Sequence, residues 1–210
     1  GLVLAGQSSK KRSILQPGSI VHAQWRARLL EQLGTFKLEL SKNYSAVLID
    51  TPIRLAALAS ICSLLEASLP EREPQAALWE ATRAILEILS LSEDETKWLP
   101  FFIKWELGLL RELGFALNLE SCAVTGSSQK LAYVSPKTGK AISIQAAGIY
   151  ADRLFILPVF LGGYLETINE FAEGIKITGH FLQKHIFNTT EKKLPSPRQR
   201  LAYLVETLNK

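Results

Sequence analysis

The sequence predicts an α+β protein: a short β segment, then a mainly helical domain that carries a small β or turn insertion. Three observations carry this reading. Apolar and polar residues alternate with period two across residues 19–29 and 35–40. From Asp50 onward the apolar spacing becomes helical. Between Cys122 and Ser143 the helical pattern breaks, and Pro136 to Gly139 supplies turn residues for a hairpin.

Residues 2–5 are short and apolar, the end of a strand. Residues 6–18 hold Gly, Ser, Lys, Arg and Pro and read as a loop. In 19–29, Val21, Ala23, Trp25, Ala27 and Leu29 share one face, and His22, Gln24, Arg26 and Arg28 the other. In 35–40, Phe36, Leu38 and Leu40 point inward while Thr35, Lys37 and Glu39 point outward, with 31–34 as the joining turn. Thr51-Pro52 starts a helix, since Thr caps and Pro suits the first turn. Leu55, Leu58, Ala59, Cys62 and Leu65 form its apolar stripe, and Pro70 ends it. Glu73-Pro74 opens a second helix with Leu78, Ala81, Ile85 and Leu89 on one face. A third starts near Ser92, where Ser92 and Glu95 fit a capping box. Phe102, Trp105, Leu109, Leu110 and Leu113 mark its buried face. Phe101, Ile103 and Leu107 make most of the remaining circumference apolar, which places this helix at the centre of a bundle. Gly114 closes it. Helices return over 146–154, 164–187 in one or two pieces, and 197–208.

The 210-residue chain is long enough for a sizeable core, and its 47% apolar content argues against wholesale disorder. No run suits a bilayer, because Pro158 and Gly162-Gly163 break the longest uncharged stretch. Cys62 and Cys122 are too few for a disulfide scaffold, so a reducing cytoplasm is the expected setting. The net charge of +4 is unevenly spread. Residues 1–50 carry +4, residues 51–121 carry −5, and residues 122–210 carry +5. Both ends suit an anionic partner; ordinary surface charge is the plain alternative.

Two segments resemble the RecO family of bacterial recombination mediators. One is W-E-L-G-L-L-R-E-L-G-F with S-C-A-V-T-G and L-A-Y-V-S-P-K-T-G-K-A-I-S, in residues 105–143. The other is L-A-G-Q-S-S-K-K-R-S-I-L-Q-P-G-S, in residues 4–19, which resembles the basic inter-strand loop of that family's N-terminal OB domain. They occur in the family's order, and L-P-S-P-R-Q-R-L near the C-terminus extends the likeness. The resemblance implies a partial OB-fold β-barrel over residues 1–46, with the family's first strands lying upstream of this sequence. It implies a helical domain over 50–210, with an insertion at 118–146 in place of the family's zinc region. It further implies binding of single- and double-stranded DNA, strand annealing, a partnership with RecR, and help in loading RecA. The DNA would be coated by single-strand-binding protein, whose acidic tail the family binds. No cofactor and no nucleotide hydrolysis are implied, and the setting would be the cytoplasm at the nucleoid.

Lys10, Lys11 and Arg12 are candidate phosphate contacts in the loop, joined by Arg26, Arg28 and Lys37 on one face of neighbouring strands. Trp25 falls on the opposite face and reads as core. Cys122-x-x-Thr125 stands where relatives carry C-x-x-C, and Ser143 and Ala146 best match the second pair. One thiol cannot supply a structural zinc's four ligands, so no metal is expected. Lys104 and Arg111, seven apart on one helix face beside Trp105, are candidates for the acidic tail. His180 and His185 are five apart and read as surface or capping residues. Glu106 amid apolar neighbours reads as ion-paired, and no Walker loop or catalytic triad is present. The chain is expected to be non-enzymatic. Two alternatives stand beside this: an RNA-binding OB protein, and an enzyme using Glu106 or Asp152 as acid or base.

Overall fold

A computed structural model describes every residue except Ala5, Gln7, Leu30, Asn209 and Lys210; the side chains of Ser9, Lys10 and Thr190 are likewise outside the description. The β segment is a three-stranded open sheet of β1 (Leu2–Val3), β2 (Ser19–Arg26) and β3 (Thr35–Asn43). Strand β3 lies in the middle, parallel to β1 and antiparallel to β2. Among the described residues it does not close into a barrel. The 6–18 segment is not all loop: it contains α1 (Ser9–Ile14), with Ser8 accepting from the Lys11 amide at its start. The sequence S-x-x-K with no apolar periodicity carries no sign of this six-residue helix. Strand β2 stops at Arg26, so Arg28 lies in the turn beyond it rather than on the strand.

The alternation of β2 and β3 is present, but its apolar side is not a sealed core. Trp25 is 38% exposed, which corrects its reading as core. Strands β2 and β3 are exposed or half-buried throughout. Trp25 pairs with Phe36 across the strands and donates from Nε1 to the Leu33 carbonyl at 3.1 Å. Gly34, at φ +62°, lies against it, and a Cβ there would collide with the indole. Trp25, Leu33 and Phe36 line an open cavity of about 550 Å³ with Glu71 and Arg72.

The helical part starts earlier than its spacing suggested. A short α2 (Tyr44–Leu48) follows β3 directly, and Tyr44 and Leu48 are buried in the main core. Then come α3 (Pro52–Ser68), α4 (Ala76–Leu91) and α5 (Glu95–Glu112). Arg54 of α3 is buried and donates to the carbonyls of Leu89 and Ser92, so it caps the C-terminus of α4. Helix α5 is capped by Asp94, whose carboxylate accepts from the Thr96 amide at 3.0 Å, not by Ser92. Trp98, Leu99, Phe102, Ile103, Trp105, Glu106, Leu109 and Leu110 are all buried, so α5 is the central helix that its composition required. Phe101, however, faces outward at 50% exposure.

The interruption is a small second sheet. β4 (Leu131–Val134) pairs antiparallel with β5 (Ala141–Ser143), and the turn between them is the expected one at Pro136 to Gly139. A third strand, β6 (Phe155–Ile156), adds to the other edge of β4. The expected helix over 146–154 is therefore only α6 (Ile144–Ala147), a 3₁₀ turn (Gly148–Arg153) and this strand. Gly148 at φ +48° cannot continue an α-helix, which explains the shortening. Helix α7 (Glu170–Leu182) runs into a π-turn (Gln183–Phe187), and α8 (Ser196–Thr207) packs against α3 and α7. No helix among the described residues is long and apolar enough to cross a membrane.

Candidate nucleic-acid interface

The register of β2 on β3 sets the polar face of the first sheet. Gln24 lies opposite Lys37, His22 opposite Glu39, and Arg26 opposite Thr35. Because side chains alternate, His22, Gln24, Arg26, Thr35, Lys37 and Glu39 project from one side. Helix α1 packs on β3 and brings Lys11 toward the same group. Glu39 sits among these cations. Its hydrogen bond with Lys37, at 2.9 Å, holds its carboxyl below the usual range, and the charges of Lys37, His22 and Lys11 act in the same direction. This acid was legible in the sequence but its role was not. It occupies Lys37, although both groups are well exposed and such a pair contributes little to stability. Arg12, Arg26 and Arg28 are exposed. The assignment of Lys10 lies outside the described side chains.

A second cation of β3 does something different. Lys42 donates to both carboxylate oxygens of Glu87 on α4, at 2.7 and 2.8 Å, and Tyr44 donates to Glu87 Oε1 at 2.7 Å. The ammonium also lies 4.6 Å from the Tyr44 ring centre. Hydrogen bonding to Glu87 raises the Lys42 pKa, and that to Lys42 lowers the Glu87 pKa. This cluster fastens the sheet to the helical domain.

Lys104 and Arg111 do meet at one site. With Leu107 and Gly108 they occupy the i, i+3, i+4, i+7 face of α5 and line a groove of about 240 Å³. Ala116, Leu117 and Leu119 form its other wall. Trp105 is not beside them in space: it is buried, and its Nε1 donates to Thr82 Oγ1 at 3.0 Å. The i+1 position on a helix turns about a hundred degrees away, which accounts for the difference.

The four positions matched to zinc ligands also come together, but with other chemistry. Cys122 is buried, and its Sγ accepts from the Ser143 amide at 3.3 Å. Ser143 Oγ accepts from the Ala146 amide at 3.4 Å. Burial opposes the thiolate, but hydrogen bonds from Thr125 and Ser143 outweigh it and lower the Cys122 pKa to about 6. Donors aimed at the single sulfur, a methyl at position 146 and hydroxyls at the remaining positions do not fit a zinc ion. Among the described residues no group of three His, Cys, Asp or Glu could hold a metal. Elemental analysis of the purified protein should find well under one zinc per chain; about one would refute this.

Glu106 is ion-paired as its surroundings required. It is fully buried, accepts from Arg198 Nε at 2.5 Å and Nη2 at 3.0 Å, and from Thr178 Oγ1 at 2.5 Å. That partner lies 92 residues away, and no sequence signal paired them. Sealed from solvent by α7 and α8, Glu106 has no route to a substrate. Asp152 is exposed on the 3₁₀ turn. His180 and His185 are half-buried, and their contacts are more specific than the surface reading implied. His180 Nε2 bonds the Pro136 carbonyl at 3.0 Å, and His185 stacks on Phe115.

Comparison with known proteins places this arrangement. Residues 50–195 match the family described as "Recombination protein O C terminal". A "DNA repair protein RecO" of Rhodospirillum centenum is 47% identical over 203 residues, covering 95% of this chain and 80% of that protein. Its namesake in Cereibacter sphaeroides is 44% identical over 98% of this chain and 84% of its own length. That of Gluconacetobacter diazotrophicus is 38% identical over 99% and 84%. The family match spans both the α5 groove and the buried Glu106, and the likeness over nearly all of this chain takes in the basic sheet as well: the chain belongs to the RecO family of DNA repair proteins.

Proposed function

We propose that this recombination mediator works by holding single-stranded DNA on the polar face of its first sheet. The observation that carries the reading is the convergence of Lys11, Arg26 and Lys37 on one side of β2 and β3, with Arg12 and Arg28 exposed nearby. Several cations on a strand face screen phosphate repulsion and release counterions, which brings complementary strands together without any covalent step. The activity proposed is not enzymatic. The sheet is read as part of an OB barrel spanning residues 1–46, with 50–210 as the helical domain and 118–146 as its insertion. The protein would anneal complementary strands and, with RecR, help load RecA onto DNA coated by single-strand-binding protein, in the cytoplasm at the nucleoid. The annealing of two complementary fluorescent oligonucleotides by the full-length protein tests this. Acceleration that fades as salt rises is expected; no acceleration at low salt would overturn it.

The acidic tail of single-strand-binding protein suits the α5 groove. Lys104 and Arg111 offer charge at its rim, and Leu107, Leu117 and Leu119 offer an apolar floor. Arg111 is also 3.7 Å from Glu112, an exposed contact that leaves it available. Reversing both charges (Lys104→Glu with Arg111→Glu) should weaken binding of an acidic tail peptide about tenfold or more. Naked-DNA affinity should stay nearly constant. Unchanged peptide affinity by calorimetry would move the site elsewhere.

A further inference from the structure

A second basic surface lies on the helical domain, where the end of α5, the β4–β5 turn and the end of α7 meet. Phe115 stacks on His185 with ring centres 4.6 Å apart and planes 12° apart. His185 is in turn nearly parallel to Phe181, at 5.9 Å and 9°. The innermost ring, Phe181, is buried, whereas the outermost, Phe115, remains 37% exposed. The β4–β5 turn is fixed against this stack. Lys184 donates to the carbonyls of Pro136 and Lys137 at 3.0 and 2.7 Å. Gly139, at φ +68°, approaches so closely that a Cβ would lie 3.2 Å from Leu117 and 3.4 Å from Phe181. Lys137 and Lys140 are thereby held, exposed, at the tip.

Cations border the ring stack. The His185 pKa is pushed down first by burial and then by the charges of Lys184 and His180; no carboxylate acts on it. The ring thus favours its neutral form, with Lys184 beside it. An exposed ring backed by a rigid stack offers a base a flat face, and nearby lysines offer its phosphates a counter-charge. An acidic peptide would use the lysines, whereas a flat ring bordered by cations suits a base and its phosphates together.

We propose that Phe115, Lys137 and Lys140 form a second single-stranded DNA contact, with one base stacked on Phe115 and phosphates on the two lysines. It rests on the DNA-binding reading above, but on a different domain and different residues. The α5 groove is its neighbour, because the wall residues Ala116 and Leu117 directly follow Phe115.

Binding of a labelled oligothymidylate to the full-length protein, followed by anisotropy across a salt series, tests it. Phe115→Leu keeps an apolar side chain and removes the flat ring. It should weaken binding about tenfold, the scale of one lost base stack, with the salt slope unchanged. Lys137→Ala with Lys140→Ala should flatten the slope by about 1.4, since each lost single-strand phosphate contact removes about 0.7. The proposal requires both effects. If both variants bind like the parent while Arg26→Ala with Arg28→Ala binds less, the second contact is refuted and the sheet reading stands. If the parent binds no oligothymidylate, both readings fall. If the lysine pair lowers acidic-peptide affinity and leaves DNA affinity intact, the surface serves a protein tail and the proposal is overturned.

Discussion

Replacing Lys11, Arg12, Arg26 and Arg28 together by alanine is expected to lower single-stranded DNA affinity on the order of a hundredfold at about 0.1 M salt. The dependence of affinity on salt should flatten by about 2.8, the sum of four lost phosphate contacts at about 0.7 each. The loss should be the same for all base sequences, because phosphate contacts carry no base information. Strand annealing should fall in parallel. The fold should persist, because Arg12, Arg26 and Arg28 are exposed and none of the four belongs to the buried core. Lys37 is left out because Glu39 already engages it, so its removal would also free a carboxylate beside the strand. A folded variant with parental affinity and slope would show that DNA does not bind this sheet. The C-terminal cations Lys192, Lys193, Arg198 and Arg200 would not take over as a set, since Arg198 is buried against Glu106. Only Lys192, Lys193 and Arg200 remain exposed there.

The second large effect is expected inside the helical domain. Arg198→Ala would leave the Glu106 carboxylate buried with only Thr178 to satisfy it. Breaking a buried pair from one side costs about 3–5 kcal/mol, a large share of a stability of roughly 5–15 kcal/mol. For a chain of this size the melting temperature should fall by roughly 6–20 °C. Glu106→Leu should be similarly harmful, because it strands the guanidinium. The double change, Glu106→Leu with Arg198→Met, should recover most of the loss, since an apolar pair needs no mutual charge. Thermal unfolding of the three variants decides the matter. Single variants as stable as the parent would mean that the pair does not hold α8 in place.

What the sequence determined by itself was local. Strand and helix periods in residues 19–26, 35–40 and 52–113, the turn at Pro136 to Gly139, and the crowded circumference of α5 all follow from neighbours a few residues apart, and the structure contains them. Local patterns also placed Arg26 and Lys37 on one side of the sheet and Lys104 and Arg111 on one side of α5. Several features lay beyond local pattern. Helix α1 is six residues long and carries no periodicity, and strand β6 is two residues that become a strand only by pairing with β4. Trp25 follows the apolar alternation, yet alternation fixes only a side of the sheet. Whether that side is covered depends on a second layer. The partner of Glu106, the anchoring of Lys42 by Glu87 and the stack of Phe115 on His185 join residues 92, 45 and 70 positions apart. Such contacts depend on how helices and sheets pack, and packing is a property of the whole assembled core rather than of any window of the chain.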